Sequence, residues 1–275
     1  MTTSTELIQD QIQFFADNGF IVLKNALTPS ETIKLQEWAQ EVHDLPRTSE
    51  VPWMPYEEVN ASGKRVLCRT ENFANYHPGF DNLLLGPRIL HILEQLAGDP
   101  MLLFKEKINY KLSGSGGFAP HIDSTAYTHI KNVKHLTILL AVDAATMTNG
   151  GLEVVPGSHK TEVPINAGDN CIEPAWVKQA NWMPCELQAG ELLVFGSYLA
   201  HRSGANRSRE DRKAVYATYN CAREGDLHED YYRDRAKEWP ATHMRRAGED
   251  YAAGAIRYGF GSPMLSIACG KQLEV

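Results

Sequence analysis

Long apolar runs and an excess of positive charge are both missing from this sequence. No apolar stretch approaches the ~20 residues that a membrane-spanning helix needs, and residues 1–6 contain no basic region followed by an apolar one. The 27 Lys and Arg residues are outnumbered by 34 Asp and Glu, which gives a formal net charge of −7. We therefore expect a cytoplasmic protein without a membrane span or a secretory signal. The charge balance also argues against a nucleic-acid-binding surface.

Cysteine is scarce, and its pattern excludes a disulfide framework. There are five cysteines, an odd number, and no two of them have C-x-x-C spacing. We therefore expect free thiols in a reducing compartment. The sequence also contains no internal repeat and no low-complexity segment. An H-E-x-x-H motif is missing as well, which makes a zinc hydrolase a less favoured interpretation.

The length and composition predict one domain over residues 1–275. A chain of 275 residues that is 43% hydrophobic can bury a sizeable core. We divide it into a helical support with one strand (6–100), a strand-rich core (about 101–222) and a charged, aromatic, helical C-terminal region (223–275). We expect residues 45–77 and 223–262 to form variable segments that cover a site and decide which substrate it accepts.

The strand-rich core consists of short apolar runs separated by glycine and proline turns. Many short strands with this spacing are typical of a sandwich or jelly roll, so we predict a mainly β fold with flanking helices. Leu83 to Ala97, before this core, should form a single helix that ends at Gly98. The predicted strands of the core are 102–111, 121–123, 136–142, 152–155, 186–187, 192–195 and 214–220.

His121 and Asp123 form an H-x-D triplet that could bind a metal ion. Residues at i and i+2 project from the same face of an extended strand, so both side chains can reach one ion. His201 lies just beyond the end of a later apolar strand and could complete the set. Two histidines and one carboxylate occupy one face of an octahedral Fe(II) and leave positions open for O2 and a co-substrate. The triplet alone is weak, because such a match arises easily by chance among ten histidines.

A row of polar residues alternates along the strand before the triplet. Lys105, Lys107, Asn109 and Lys111 should share one face, opposite Ile108 and its apolar neighbours. The row could be a solvated outer face, or it could line a barrel interior and supply cations for an acidic ligand. The alternation alone favours the solvated face, since most charged rows are exposed.

Taken in order, five motifs resemble the phytanoyl-CoA dioxygenase family, over roughly residues 10–222. Members of that family are Fe(II)- and 2-oxoglutarate-dependent oxygenases on a double-stranded β-helix, a cupin-like jelly roll. The asparagine-glycine segment 149–159 is the most specific of the five. The motifs are NGFIVL at 18–23, KINYK at 107–111, HID at 121–123, NGGLEVVPGSH at 149–159 and HRSG at 201–204 followed by Arg212.

The resemblance implies roles for residues at the matching positions. His121, Asp123 and His201 match the iron ligands of the family. Arg212 matches the arginine that binds the C5 carboxylate of 2-oxoglutarate, for which a bidentate guanidinium is suited. Ser203 matches a further co-substrate contact.

Other residues receive weaker assignments from the resemblance. Asn109 is similar to an asparagine that contacts 2-oxoglutarate in ectoine hydroxylases, and Thr137 is a lesser co-substrate candidate. Lys107 stands where those enzymes carry a substrate-binding arginine. The residue pattern, rather than the resemblance, adds two candidate substrate contacts: Lys105 from the polar row, and Tyr127, whose ring could form a wall or a cation–π surface for an amine.

The resemblance also implies an activity. Fe(II), 2-oxoglutarate and O2 would together hydroxylate an unactivated C–H bond and release succinate and CO2. Asp123 favours oxygenation over halogenation, whereas desaturation and ring formation use the same ligands and remain open.

The substrate is less well defined than the reaction. The lysine row suits a small acidic or zwitterionic molecule, and residues 104–111 are similar to family members that act on 2-aminoethylphosphonate-like compounds. A secondary metabolite or an amino-acid derivative is the alternative, and a non-catalytic metal-binding jelly roll is a second one. The expected partner is a small molecule, and a homodimer is left open.

Overall fold

The computed structural model describes residues 5–126, 129–131 and 134–264, and the strands in these ranges form two antiparallel sheets. The large sheet has the order β1-β9-β6-β11-β4-β3-β2, and the small sheet has the order β5-β10-β7-β8. The strands are β1 (Phe20–Leu23), β2 (Met54–Val59), β3 (Arg65–Glu71), β4 (Met101–Lys111), β5 (Phe118–His121), β6 (His135–Ala141), β7 (Leu152–Val154), β8 (Met183–Cys185), β9 (Leu192–Gly196), β10 (His201–Ser203) and β11 (Arg212–Cys221).

The two sheets bury an apolar layer between them. Leu139 and Ala141 of β6, with Phe195 of β9, belong to the same buried cluster as Leu152 and Val154 of β7. These residues alternate along their strands with residues that face the other way, as expected for strands buried on both sides. The architecture is the double-stranded β-helix that the sequence predicted, a mainly β fold with flanking helices.

Helices cover the outer face of the large sheet. Ile108, Ile138 and Val215 of the sheet share a buried cluster with Leu35 and Leu93 of the helical layer. None of the helices in the described ranges is long and apolar enough to cross a membrane. The helices are α1 (Gln9–Asn18), α2 (Pro29–His43), α3 (Pro78–Leu84), α4 (Pro87–Ala97), α5 (Pro174–Gln179), α6 (His228–Glu238) and the short α7 (Ala252–Gly254).

Two predictions about the N-terminal part are wrong. Residues 6–100 contain three strands rather than one, because β2 and β3 pair with each other and extend the large sheet through β4. Their charged sequence, which includes Pro55, hides the alternation that a strand usually shows. The single helix predicted over residues 83–97 is two helices separated at Gly86. A Cβ atom there would collide with the Asn82 carbonyl, and Pro87 disfavours a helical conformation at the residue before it.

Two of the predicted strands also differ from the structure. The chain is not extended through the whole H-x-D triplet, because β5 ends at His121 and Asp123 begins a 3₁₀ turn, Asp123–Ala126. The strand predicted at 186–187 lies earlier as β8, and Leu187 forms only an isolated bridge with Ala145.

The cysteines that the structure describes are free thiols, as predicted; they are Cys68, Cys171, Cys185 and Cys221. Cys269 lies outside the described residues.

Candidate active site

The three predicted metal ligands meet at one end of the small sheet. Antiparallel pairing of β10 with β5 brings His201 opposite His121, and the turn after β5 brings Asp123 between them. Each histidine Nε2 lies 3.7 Å from Asp123 Oδ1. All three residues are buried, and their nearest ligand atoms lie within 4.8 Å of one another. A single ion can therefore contact all three side chains.

Hydrogen bonds orient both imidazoles for metal binding. Nδ1 of His121 lies 2.6 Å from the Ala119 carbonyl, and Nδ1 of His201 lies 2.9 Å from the Leu199 carbonyl. A carbonyl only accepts, so each Nδ1 carries the proton and each Nε2 offers a lone pair to the shared point. Burial lowers the pKa of His121 to about 3 and also lowers that of His201, which keeps both rings neutral.

Asp123 is held ionised in the same place. Burial opposes its charge, but His201, Lys107 and Lys105 outweigh burial and lower its pKa. Thr137 of β6 donates a hydrogen bond from Oγ1 to Asp123 Oδ2 at 3.3 Å. Thr137 therefore contacts a ligand side chain, while the co-substrate contact expected for it stays a prediction. Two neutral imidazoles with one carboxylate form the donor set of non-haem Fe(II) oxygenases, so the residues present fit that metal.

A chamber of about 310 Å³ leads from the three ligands toward Ser203, and its lining also includes Asn109 and Tyr216. Beyond Ser203 lies Arg212, the first residue of β11, which is buried and donates from one terminal nitrogen to the Gly150 carbonyl at 2.7 Å. Its Nε has no hydrogen-bond partner within the described part of the chain. The predicted co-substrate residues Ser203, Asn109 and Arg212 are therefore gathered on one side of the ligand set.

The lysine row is not a solvated outer face, contrary to the interpretation that the alternation favoured. The side chains of Lys107, Asn109 and Lys111 point into the space between the sheets, because the opposite face of β4 packs against the helical layer. Lys105 is only 8% exposed. The alternative interpretation, a cationic row inside the barrel, is the correct one.

A second cavity, of about 390 Å³, adjoins His121 and Asp123 and is strongly cationic. Arg69 from β3 and Arg235 from α6 line it together with Lys105 and Lys107. Glu71 is buried between the two arginines and accepts from both of them, at 3.1 Å from Arg69 and 2.8 Å from Arg235.

Sequence reasoning missed Arg69, Glu71 and Arg235. Residues 45–77 and 223–262, which contain β3 and α6, were expected to cover the site, but no local motif singles out these three side chains. The pattern Arg69-Thr70-Glu71, at the end of an apolar stretch, was the one available signal.

Aromatic rings and the C-terminal strap (residues 251–264) close this cationic cavity. The Phe260 ring lies edge-on to His121 with centroids 5.5 Å apart, and the Gly261 carbonyl accepts from the Ala119 amide at 2.6 Å. The guanidinium of Arg235 stacks on Tyr258. The C-terminal strap therefore lies beside the metal ligands, and its role as a cover of the site stays a prediction. Tyr127, a predicted substrate contact, lies outside the described residues.

The comparisons with known proteins agree with this geometry. A sequence model of the phytanoyl-CoA dioxygenase family (PhyH) matches residues 15–214. The 2-aminoethylphosphonate dioxygenase of the uncultured bacterium HF130_AEPn_1 is 35% identical over 93% of this chain and 98% of its own length. The methylphosphonate hydroxylase of Gimesia maris is 38% identical over 94% of this chain and 98% of its own.

A solved structure supports the fold independently. EctD from S. alaskensis, crystallised with 2-oxoglutarate and 5-hydroxyectoine, aligns with a TM-score of 0.70 and 20% identity over 79% of this chain and 77% of its own. A jelly roll with a buried His-Asp-His set defines the class as an Fe(II)- and 2-oxoglutarate-dependent dioxygenase, which uses O2. Within that class, the chain belongs to the phytanoyl-CoA dioxygenase family, as its motifs indicated.

Proposed function

We propose that this dioxygenase hydroxylates a small phosphonate, such as methylphosphonate or 2-aminoethylphosphonate, at a carbon close to phosphorus. The observation that carries the proposal is the cavity beside the metal ligands, to which Arg69, Lys105 and Lys107 all contribute. A phosphonate carries up to two negative charges and three acceptor oxygens. It can therefore accept charge-assisted hydrogen bonds from several cations at once.

We assign His121, Asp123 and His201 as the iron ligands, and Arg212 with Ser203 as the binding site for the C5 carboxylate of 2-oxoglutarate. The neutral imidazoles, the ionised carboxylate and the unpartnered Arg212 Nε support this assignment. With O2, the bound iron and 2-oxoglutarate supply an oxidant that replaces a C–H hydrogen by hydroxyl, with release of succinate and CO2.

The charges around the cavity favour an anionic substrate. Four cations line the cavity. Among the described residues, the carboxylates beside them are Glu71, which is bonded to Arg69 and Arg235, and Asp123, which faces the metal position. Burial lowers the pKa of Lys105 to about 8, so the charged lysine is less stable there than in water. A phosphonate next to Lys105 would stabilise its charged form, and this gain would contribute to binding.

The position of the cations argues for oxidation close to the anionic group. Lys105 and Lys107 lie near enough to Asp123 for their charges to lower its pKa. An anion held by these lysines therefore leaves its attached carbon facing the metal ligands. The names of the two curated relatives, which are both phosphonate oxygenases, support the same substrate class.

The enclosure of the cavity supports a small substrate. Phe260 and Tyr258 of the C-terminal strap border the cavity and limit the space beside His121 and Asp123. Two of the aromatic rings already form cation–π contacts with protein side chains: Tyr231 with Lys105, and Tyr258 with Arg235. A bulky apolar metabolite would have to displace these buried charges, which is unfavourable.

The test measures succinate release in the presence of Fe(II), 2-oxoglutarate and air, with methylphosphonate, 2-aminoethylphosphonate and their carboxylate analogues acetate and β-alanine. We expect one or both phosphonates to stimulate succinate release, and ³¹P NMR to show a new hydroxylated phosphonate. Equal stimulation by the carboxylate analogues, or none by any phosphonate, would refute the substrate assignment.

Two variants link the activity to the cavity. Lys107→Met and Arg69→Met each remove one cation, and each should raise the KM for the phosphonate about 10- to 100-fold, the effect of one charge-assisted hydrogen bond. Lys64→Met, in the exposed turn between β2 and β3, is the matched control and should leave the KM unchanged.

A further inference from the structure

We propose that Arg235 of α6 binds the phosphonate directly and that Glu71 holds it in position to do so. The inference rests on the proposed function, and it adds the residues that let the site distinguish a phosphonate from a carboxylate. The match to the family model ends at residue 214, so Arg235 lies outside the segment that matches the family. The C-terminal helix α6 brings it to the cavity beside the metal ligands.

The guanidinium of Arg235 is buried, and two aromatic rings fix its position. Arg235 is 1% exposed, and the centre of its guanidinium lies 4.8 Å from the ring of Tyr56 and 4.9 Å from that of Tyr258. Its Nη2 donates to Glu71, whereas its Nε has no hydrogen-bond partner in the described part of the chain. Buried donors nearly always have a partner, so an unpartnered one beside this cavity indicates a ligand contact.

Glu71 joins Arg235 to the cations of the large sheet. Its Oε1 accepts from Arg69 at 3.1 Å and from Arg235 at 2.8 Å, and Glu71 is the cross-strand partner of Lys107. Burial opposes the charge of Glu71, but Arg235 and Arg69 outweigh burial and lower its pKa, so the carboxylate is ionised. Among the described residues, no second carboxylate forms an ion pair with either arginine. Two buried guanidiniums therefore share one negative charge, and a bound phosphonate supplies the other.

A phosphonate can use a set of donors that a carboxylate cannot. Its three oxygens point in three directions, whereas the two oxygens of a carboxylate accept donors in one plane. Lys107 comes from β4, Arg69 from the neighbouring β3, and Arg235 from a helix that packs against this part of the sheet. Each phosphonate oxygen can thus accept a charge-assisted hydrogen bond from a different element. Without Arg235, only donors from the sheet would remain, and a carboxylate could satisfy them equally well.

Other contacts attach α6 to the sheet independently of Arg235. The Tyr232 hydroxyl donates to the Glu106 carbonyl at 2.7 Å, and His228 Nε2 lies 3.0 Å from Glu106 Oε2. These three residues do not belong to the described lining of the cavity. A purely structural role for Arg235 would therefore duplicate an anchor that α6 already has.

The test combines assays of succinate release with anaerobic titrations of the Fe(II)-loaded protein, in which 2-oxoglutarate binding is followed through the visible charge-transfer band. Arg235→Met should raise the KM for the phosphonate that the wild type uses, methylphosphonate or 2-aminoethylphosphonate, about 10- to 100-fold. The Kd of 2-oxoglutarate should stay the same, because Arg235 does not line the chamber that leads to Ser203. Arg235→Lys keeps the charge and should recover part of the affinity.

Tyr232→Phe is the matched control, since it removes an anchor of α6 but no cation. It should lower the Tm and leave the KM for the phosphonate unchanged. The carboxylate analogue of the substrate, acetate or β-alanine, measures selectivity as a competitive inhibitor. Its Ki should change little in Arg235→Met, so the ratio of this Ki to the KM for the phosphonate should fall.

Glu71→Gln tests the positioning role, and it decides the question if Arg235→Met does not fold. Glu71 Oε2 has no hydrogen-bond partner in the described ranges, so an amide nitrogen can take its place while the other oxygen still accepts from both arginines. Loss of the charge should lower the Tm. A saturating phosphonate, added with Mn(II) and 2-oxoglutarate, should raise the Tm more in this variant than in the wild type, because its charge replaces that of Glu71. An equal rise in both proteins would overturn the proposal.

The remaining outcomes separate this inference from the substrate assignment. If Arg235→Met and Tyr232→Phe raise the KM equally, or if the Ki of the analogue rises with the KM, Arg235 only supports the fold and the inference is wrong. If the wild type hydroxylates a phosphonate and Arg235→Met keeps its KM, only the role of Arg235 fails. If the wild type acts on no phosphonate, the substrate assignment fails and this inference fails with it.

Discussion

Each of the two metal-facing histidines donates its Nδ1 proton to a carbonyl two residues earlier in the chain, and this selects the tautomer that a metal needs. The bonds from His121 and His201 measure 2.6 and 2.9 Å. Because both rings are already neutral, an incoming ion does not have to displace a proton from either of them. Asp123 supplies the single negative charge, and Thr137 holds the oxygen of that carboxylate that is turned away from the histidines.

Thr137 has two candidate roles, orienting the Asp123 carboxylate or contacting 2-oxoglutarate, and a substitution distinguishes them. Its Oγ1 donates to Asp123 Oδ2 and also lies 3.0 Å from Thr218 Oγ1. If it orients the metal ligand, Thr137→Val should weaken Fe(II) binding about 10-fold or more and leave the 2-oxoglutarate affinity of the iron-loaded protein unchanged. Anaerobic titrations with each ligand measure both constants.

A loss of 2-oxoglutarate affinity with normal iron affinity would instead support the co-substrate contact expected from the resemblance. Thr48→Val, on the exposed surface, serves as the control for removal of a hydroxyl.

The site residues show how far sequence reasoning extends. The side chains of His121, Asp123 and His201 converge as predicted. A short motif at the end of a strand can be recognised even when the predicted boundary of that strand is wrong by a few residues. The alternation of the lysine row favoured a solvated face and left the barrel interior as the alternative, because an alternating pattern shows which residues share a face and not what covers it. Arg69 and Arg235 were missed because they become neighbours only through Glu71, which is separated from Arg235 by 164 positions in the sequence.

At the scale of elements, the N-terminus of α2 is fastened to α4 by one carboxylate. Glu31 accepts from the Thr28 amide at 2.8 Å in a capping box, and it forms an ion pair with Arg88 at 2.8 Å. The hydrogen bond from Arg88, with those from Thr28, lowers the Glu31 pKa from 4.5 to about 2. A carboxyl group with a lowered pKa stabilises the fold above its unfolded pKa, and this contribution disappears as the pH falls through the folded value.

The contacts of Glu31 with Thr28 and Arg88 predict that the wild type and a Glu31 variant differ in stability by an amount that depends on pH. Glu31→Gln should reduce the free energy of unfolding by about 1 kcal/mol at pH 7, a value kept small because the pair is partly exposed. The difference should shrink as the pH falls from 4.5 toward 2. Urea unfolding of both proteins across this range measures it, with Glu37→Gln on the exposed side of α2 as the control. A difference that persists at pH 2 would show that the charge of Glu31 is not its cause.

Gly254 determines how closely the C-terminal strap approaches α6. A Cβ atom there would overlap the Glu238 carbonyl, which is backbone and cannot move aside cheaply. The π-helical turn that follows, Ala255–Gly259, carries Tyr258, whose hydroxyl donates to Asp234. Gly254 therefore sets the position of the strap, and the hydrogen bond from Tyr258 to Asp234 helps to hold it just before Phe260 meets His121.

Gly254→Ala should therefore move the strap and affect turnover more than folding. We expect kcat/KM to fall about 10-fold or more, as for other small displacements of residues that enclose a site. The ratio of succinate to hydroxylated product should rise, because a loosened strap admits water. Gly196→Ala is the control, since a Cβ atom at Gly196 would meet nothing within 4 Å. Unchanged coupling in Gly254→Ala would mean that the strap does not enclose the reaction.

These elements also show which parts of the fold can be predicted from sequence. The strands of the core were found because their apolar runs stand between clear turns, as in β6 and β9. By contrast, β2 and β3 carry charges on the face turned toward the site. β3 is buried by pairing with β4 and β2, and both β2 and β3 pack against α6. No local pattern encodes these contacts.

Over the whole molecule, the site lies at the seam between the two sheets. The small sheet supplies His121 and His201 through β5 and β10, while the large sheet supplies Asn109, Thr137 and Arg212 through β4, β6 and β11. A metal with its co-substrate therefore connects the two layers of the fold. Ligands that bind only the folded state stabilise it by mass action, so occupancy of the site should appear as global stability.

Thermal unfolding with Mn(II), which resists oxidation in air, tests this connection. At about 100 times its Kd, a ligand adds about 2.7 kcal/mol, which should raise the Tm by about 5 °C or more. Adding 2-oxoglutarate should raise it again, but only when the metal is present, because the two ligands share one site and bind cooperatively. Asp123→Ala should lose both increases in Tm. Arg212→Met should keep the increase caused by the metal and lose most of the increase caused by 2-oxoglutarate. If Mn(II) raised the Tm of Asp123→Ala as much as that of the wild type, the metal would be binding elsewhere on the protein, and the seam between the sheets would not be where iron acts.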